Sequence, residues 1–462
     1  MTKKVIIGII AAQTLLFSYT TGFEDAVKQA LKNNKELKAK QFDVEKSKKD
    51  VEEAKSYKLG KLEFNENISN TNHAGYVFGT KLAQRRATFA DFGFDQFLSW
   101  MNNGMNGDVL SVTPDKLNHP EAITNFESKM VYEVPLYTGG KLESAKEMAH
   151  LQVKANEAKY ARDEKLLGLE VLKAYNGAVT AKNFIKITED SKKIASNFVK
   201  KSKKLYGDGL IRKFEVEQAE SAYKSIDIKL QEAKTSFSLA IAYLQFLTDN
   251  KNITDVGEMK TFPKNSDSLD VAKENAIAKR DDYAYMSYNV KTMKEKVVFD
   301  SAESLPTVGA HVEYGFNNGT PLGIGADRSY YLAAVGLKYT IFDGDLTSIK
   351  KQKATVEYKK VQNYQEHMKN GIALEVQQHY ENLKTENKTL KEKMEVAKTS
   401  RSILHEIEDV YANNLIFRTN MMHLLMQLSN LVQAEADVAM AKYNKSLAEA
   451  NLKLAIGESL SN

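Results

Sequence analysis

The chain has 462 residues, 42% hydrophobic and 9% aromatic, enough for two or three ordinary domains. Its net charge of +5 is small, and its lysines are interleaved with Glu and Asp, so they read as solvated helix faces and not as a nucleic-acid patch. Cysteine is absent, which excludes disulfides, thiolate metal sites, thiol nucleophiles and a lipid anchor on an N-terminal Cys.

Lys3-Lys4 followed by the apolar run 5–17 reads as a secretory signal peptide, assigned to 1–20 with cleavage between Ser18 and Gly22. The run is shorter than the roughly 20 residues a spanning helix needs. Residues 23–57 have a helical pattern, with Phe23, Ala26, Val27, Ala30 and Leu31 on one stripe and no Gly or Pro inside. A strand is expected over 62–68, although Glu66 shares its face with Leu62, Phe64 and Ile68. The connection 69–125 is rich in Gly, Asn and aromatics, and it holds the one tryptophan, Trp100. Loops of that length are functional or disordered, which leaves a surface lid or a mere expansion. Next, Phe126, Met130, Tyr132, Val134 and Leu136 alternate as a second strand, and Thr138-Gly-Gly turns the chain. A helical pattern runs from 141 to 248, broken once at Tyr206-Gly-Asp-Gly-Leu-Ile.

The same order then recurs. Residues 269–298 match 23–52 at a displacement of 246, and Val308, Ala310, Val312, Tyr314 and Phe316 alternate as a third strand. The connection 317–329 is short. Tyr331, Val335, Leu337, Tyr339 and Ile341 form the fourth strand, and Asp343-Gly-Asp turns into a helical stretch over 347–458, broken at Tyr411-Ala-Asn-Asn-Leu-Ile. Tyr137 aligns with Phe342 at a displacement of 205, so the first copy carries about 41 extra residues in its hairpin connection. Positions 376, 383, 390, 397, 404 and 411 step by seven, the mark of coiled-coil packing. The chain is therefore expected to be a duplication, with repeats at 21–267 and 268–462. The limb from Lys141 to Tyr206 would extend about 100 Å, which calls for an elongated architecture.

Two strands per repeat give a four-stranded open sheet, whose raw edges a bilayer does not tolerate. Strand length and alternation suit an outer-membrane barrel pooled from several copies, and the helices are too polar for lipid. These residues resemble the TolC-type outer-membrane efflux proteins over nearly all the chain after the leader. The resemblance rests on the duplication, the FEDAVKQALKNNKEL opening at 23–37, the strand–Gly–helix junctions, the YGDGLI and YANNLI tips, and LKLAIGE at 452–458. Lys35 stands where that family often has Pro, and Asn413-Asn414 replaces the usual tip Gly. The fold class implied is mainly α with a β-barrel portion: a homotrimer with a twelve-stranded barrel above a twelve-helix periplasmic tunnel. The implied function is the outer-membrane channel of a tripartite efflux or type I secretion system. Its implied partners are outer-membrane lipid, a periplasmic adaptor (membrane fusion protein) and an inner-membrane pump of resistance-nodulation-division, ABC or major facilitator type.

The resemblance also implies the site residues. Adaptor docking falls to the tips, Tyr206, Gly209 and Leu210 in the first copy and Tyr411, Asn414 and Leu415 in the second. In that family two aspartates after the second tip ring the periplasmic entrance; here those positions hold Asn420 and His423, while the first copy offers Glu215, with Glu217 nearby. An entrance ringed by His423 would gain positive charge on acidification.

An enzyme is the first rival reading, but the eight histidines show no metal spacing, no phosphate-cradling glycine loop is present, and no cofactor is expected. His405-Glu406 reads as a polar helix face. Met421, Met422, His423 and Met426 could suggest soft-metal handling, but methionines on a packed return helix are more often core filler. A periplasmic coiled-coil adaptor or a structural coiled-coil protein is the second rival. An adaptor would flank one hairpin with several β-rich modules, and a structural scaffold leaves the two turn-closed strand pairs unexplained.

Overall fold

The computed structural model describes residues 19–104, 107–263, 268–322, 326–412 and 421–460. The chain runs β1 (Tyr19–Thr21), α1 (Phe23–Asn33), α2 (Lys35–Ser56), β2 (Lys61–Thr71), α3 (Ala74–Ala83), α4 (Phe94–Asn102), α5 (Asp115–Asn118) and β3 (Ile123–Tyr137). It continues through α6 (Lys141–Gly207), α7 (Lys213–Thr248), β4 (Ile253–Val256), α8 (Leu269–Lys279), α9 (Asp281–Ser301), β5 (Thr307–Asn318), β6 (Ser329–Lys338), α10 (Leu346–Ala412) and α11 (Met421–Ala455). Two compact units result, one of residues 47–152 and 290–361, the other of 19–46, 153–289 and 362–460. Among the described residues no helix is long and apolar enough to cross a membrane.

The unit of 47–152 and 290–361 is built on an antiparallel sheet in the order β2-β3-β5-β6. Its register places Leu62, Phe64 and Ile68 beside Tyr132, Met130 and Phe126, then Met130, Tyr132 and Val134 beside Tyr314, Val312 and Ala310. Those continue into Tyr331, Ala333 and Val335. Alternation thus sums, strand by strand, to one continuous apolar face. The opposite face carries Glu127, Lys129, Glu133, His311 and Glu313, with Lys129 3.5 Å from Glu313 and the Tyr330 hydroxyl donating to Glu127 at 2.7 Å. Glu66 does lie on the apolar face, opposite Ser128, and its two carboxylate oxygens are shielded without a hydrogen-bond partner. The fourth strand is shorter than its alternation suggests. β6 ends at Lys338, paired with Thr307, and Tyr339 and Ile341 lie beyond it. Pro306 precedes β5, so those positions have no ladder partner.

The 69–125 connection is folded. Helices α3, α4 and α5 make a small lobe in which Phe78 packs edge-on against Phe92 at 5.2 Å. Gly93 adopts φ +83° against Pro114, where any Cβ would sit 2.6 Å from the proline ring. Lys81 donates to Asp91 at 2.6 Å, and the Thr88 backbone N–H donates to the same carboxylate at 2.7 Å.

Helices α6 and α10 are 67 residues each, with 153–207 and 362–412 of them in the other unit, and α7 and α11, within that unit, are 36 and 35. Their heptad stripe is interior as expected: Val376, Ala397 and Leu404 are buried, and Leu383 and Leu390 are half-buried. One core gathers Phe23, Val171, Tyr175, Leu244, Ile253 and Phe262, with Phe23 edge-on to Tyr175 at 5.9 Å. The short parallel pair β1–β4 belongs to it, and no sequence pattern announced that pair. The assigned leader boundary at residue 20 falls inside β1.

Two expected helices are each broken. The 23–57 helix divides at Asn34, whose Oδ1 accepts the Leu37 N–H at 2.9 Å and whose Nδ2 donates to Leu247 O at 3.1 Å. That side chain caps the N-terminus of α2, which is why the chain can change direction with no Gly or Pro. The 269–298 helix divides at the duplicate position, Arg280. Its guanidinium holds Asp282 at 2.7 Å and Glu375 at 2.6 Å, while Asp282 Oδ1 accepts the Tyr283 N–H at 3.0 Å.

Lys81, Thr88 and their hydrogen bonds hold the Asp91 carboxyl down at about 2, against an ordinary 3.8. A depressed carboxyl contributes stability present above its unfolded pKa and lost as pH falls through the folded one. The lobe is therefore expected to loosen between about pH 4 and pH 2. Emission of Trp100 across that range checks this, and Asp91→Asn should remove the pH dependence while costing about 1–3 kcal/mol at neutral pH.

Candidate functional site at the helical tips

The tip of the first hairpin is set by backbone geometry. At the end of α6 the Leu210 N–H donates to Leu205 O at 2.9 Å and the Gly209 N–H to Tyr206 O at 3.0 Å. That pair of bonds is the Schellman closure, and Gly209 takes the left-handed φ of +72° it requires. Leu205 is buried while Leu210, five residues on, is 60% exposed. Tyr206 is exposed too. The chain folds back at once, because the Glu215 carboxylate accepts the Arg212 backbone N–H at 2.9 Å and closes the first turn of α7. Glu215 thus has a structural task at this turn, and Glu217 is 3.3 Å from Lys213.

Behind the tip, α6, α7, α10 and α11 share one core of Phe198, Leu205, Ile226, Leu404, Leu424 and Leu428. Leucines fill that core, and Met422 and Met426 are exposed on α11, so those two methionines are not core filler. His423 is exposed in the first turn of α11. In the second tip Tyr411 belongs to the last turn of α10, while Asn414, Leu415 and Asn420 lie outside the described residues. Among the described residues no His, Asp and Glu group could hold a metal ion.

An open groove of about 1240 Å³ runs along α6, α10 and α11, lined by Lys186, Asp190, Arg401, His405, Glu408 and Glu435. Burial pushes the Glu408 carboxyl above its usual range, and Arg401 pairs with Glu435. Sequence reasoning took His405 for a polar helix face and passed over the others, because each, taken alone, is one more charge on a solvated face. Only the packing of the three helices assembles them.

Residues 82–249, from the lobe through the first helical hairpin, match the outer membrane efflux protein family. No curated protein sequence matches the chain. Among solved structures, CusC is similar at 12% identity and a TM-score of 0.76, over 96% of this chain and 94% of that one. The CmeC outer membrane channel of Campylobacter jejuni is similar at 14% identity and 0.74, over 94% and 85%. The outer membrane protein VceC of Vibrio cholerae is similar at 12% identity and 0.73, over 95% and 96%. At such identities the likeness establishes a shared fold. The family match covers the lobe and the first helical hairpin, and the likeness to solved outer-membrane channels extends the shared fold over nearly the whole chain.

Proposed function

We propose that three copies of this chain pool their sheets into a twelve-stranded barrel across the outer membrane and their helices into a twelve-helix tunnel in the periplasm. The observation that carries this is the sheet: four strands, one continuous apolar face, and β2 and β6 left as edges. In lipid an unpaired edge costs several kcal/mol per orphaned group, so a neighbouring copy has to continue each edge. The two chain repeats, 21–267 and 268–462, each supply one strand pair and one helical hairpin. Cleavage of the leader ahead of Tyr19 keeps the β1–β4 pairing intact.

The tunnel receives substrate from an inner-membrane pump of resistance-nodulation-division, ABC or major facilitator type through a periplasmic adaptor docked at the tips. Tyr206, Gly209 and Leu210, with Tyr411, Asn414 and Leu415, form the docking surface, and the charged groove along α6, α10 and α11 extends it. Support comes from Leu210, which the Schellman closure leaves exposed and not tucked into the core. Two helical hairpins and, among the described residues, no separate β-module disfavour the adaptor reading, and the four-stranded sheet disfavours a purely structural coiled coil. Glu215, Asn420 and His423 form the entrance, without the family's acidic double ring.

Three outcomes are expected. Leu337→Arg on the lipid face should cost about 2–4 kcal/mol near the midplane, seen as loss of assembled, heat-resistant protein from the outer membrane. Normal assembly of that variant would mean that the apolar face does not meet lipid. Leu210→Glu combined with Leu415→Glu should abolish export while the trimer stays in the membrane; loss of the trimer would instead assign both leucines to packing. The current–voltage profile in planar bilayers should differ between the wild type and His423→Ala. Identical profiles for the two proteins would remove His423 from the entrance.

A further inference from the structure

We propose that the lobe of residues 72–122 is a cap over the external mouth of the channel, and that its aromatic row docks on the lobe of a neighbouring copy. This rests on the trimer reading above. Both strand pairs join helices at one end, through Ser56 to Lys61, Tyr137 to Lys141, Ser301 to Thr307 and Lys338 to Leu346. The lobe therefore lies at the opposite end, the side on which outer-membrane barrels carry their long loops.

The lobe is bolted across the strand ends. Gln84 is fully buried, and its Nε2 reaches Thr124 O at 3.1 Å, Asn125 Oδ1 at 2.8 Å and Asn318 O at 3.1 Å, at the ends of β3 and β5. Arg85 donates to Ser329 O at 3.1 Å, at the start of β6. Arg85 closes α3 with φ +51°, a position at which glycine is the default, so a strained backbone is kept where the side chain does the fastening. Asn125 lies on the polar face of the sheet together with Glu127, and its Nδ2 donates to Asn317 there at 2.8 Å. The latch is thus on the polar side, which in the barrel faces the lumen, and not on the side that faces lipid.

From that latch the lobe presents an aromatic row. Phe89, Phe94, Phe97 and Trp100 follow one another with ring centroids 6.0, 5.9 and 6.0 Å apart, and Phe89 is 81% exposed. Asp95 and Lys116 beside it neutralise each other at 2.9 Å. The lobe leaves the sheet from Thr71, the end of edge strand β2, and Arg85 fastens it to Ser329, the start of edge strand β6. It therefore reaches both edges at which neighbouring copies join, and the occupant continuous with those seams is the next copy's lobe. An aromatic row on the lumen side has no lipid to enter, and pairing with its counterparts removes it from water.

The test uses the purified full-length protein. Its lack of cysteine makes Phe89→Cys a unique label, and its single tryptophan, Trp100, reports from the end of the row. A short bismaleimide should join Phe89→Cys copies into covalent dimers and lower conductance in planar bilayers. Phe89→Ser combined with Phe94→Ser should lengthen open dwell times severalfold with the trimer intact. Trp100 emission should be insensitive to brominated lipid. An intact trimer with no cross-link and unchanged dwell times overturns the cap, as does quenching of Trp100 by brominated lipid, which would place the row in the bilayer. A monomer on native gels would instead overturn the trimer reading itself.

Discussion

The structure depends on the pairing of backbone groups at the edges of one small sheet. Inside a bilayer neither N–H nor C=O can fall back on water, so a sheet is viable there only when it is closed. Four strands twist too little to close on themselves. In the proposed barrel much else follows from that limit: strands of ten to fifteen residues, an apolar face that continues from β2 to β6 with one register shift, between Pro135 and Tyr137 of β3, and a polar face lined by Glu127, Lys129 and Glu313. The one flaw in the apolar face, Glu66, sits on edge strand β2 next to Ser128 of β3. It is also the residue that blurred the alternation of that strand.

Positions 34 and 280 show how one backbone requirement can be met by different chemistry. At Asn34 the chain caps the next helix with its own side chain, by accepting the Leu37 N–H. At Arg280 no acceptor is available on the side chain. Asp282, two residues on, takes over the capping, and the arginine is held by Asp282 and Glu375. Burial opposes ionisation of Asp282, but the hydrogen bond and charge of Arg280 outweigh it, so its pKa lies below the ordinary carboxylate range. At the first tip glycine meets the same need by another route, closing the helix through the left-handed region.

These pairs explain what could be read in the sequence. Strands and long helices were legible because period two over five positions and period seven over six are hard to produce by chance. The breaks at Asn34 and Arg280 were not, because neither residue is a helix breaker; each acts through a partner far along the chain, Leu247 in one case and Glu375 in the other. The three residues of β1 are too few to show alternation, and β4 supplies only four to pair with them. The length of the 69–125 segment was visible, but its fold was not, since α3, α4 and α5 are short and gain their order from contacts such as Phe78 on Phe92. At the tip, Gly209 and Leu210 were legible from the turn itself. The groove lined by Arg401, His405 and Glu435 was not, because it exists only between helices.

The asymmetry between the repeats has a geometric meaning. Only the first hairpin carries a lobe, yet that lobe is fastened to the second hairpin, through Gln84 to Asn318 and Arg85 to Ser329. A duplication with two lobes would leave neither hairpin short enough to serve as the seat of the other. In a trimer built from these repeats, six hairpins alternate around the mouth, three bearing lobes and three bearing the seats on which the lobes rest. Loss of the insertion from the first repeat would leave Asn125, Asn317 and Asn318, now buried beneath Gln84 or bonded to one another, facing water at the rim. Asparagines at these ends of β3 and β5 suit that seat, since each offers a donor and an acceptor to a segment laid across the strands.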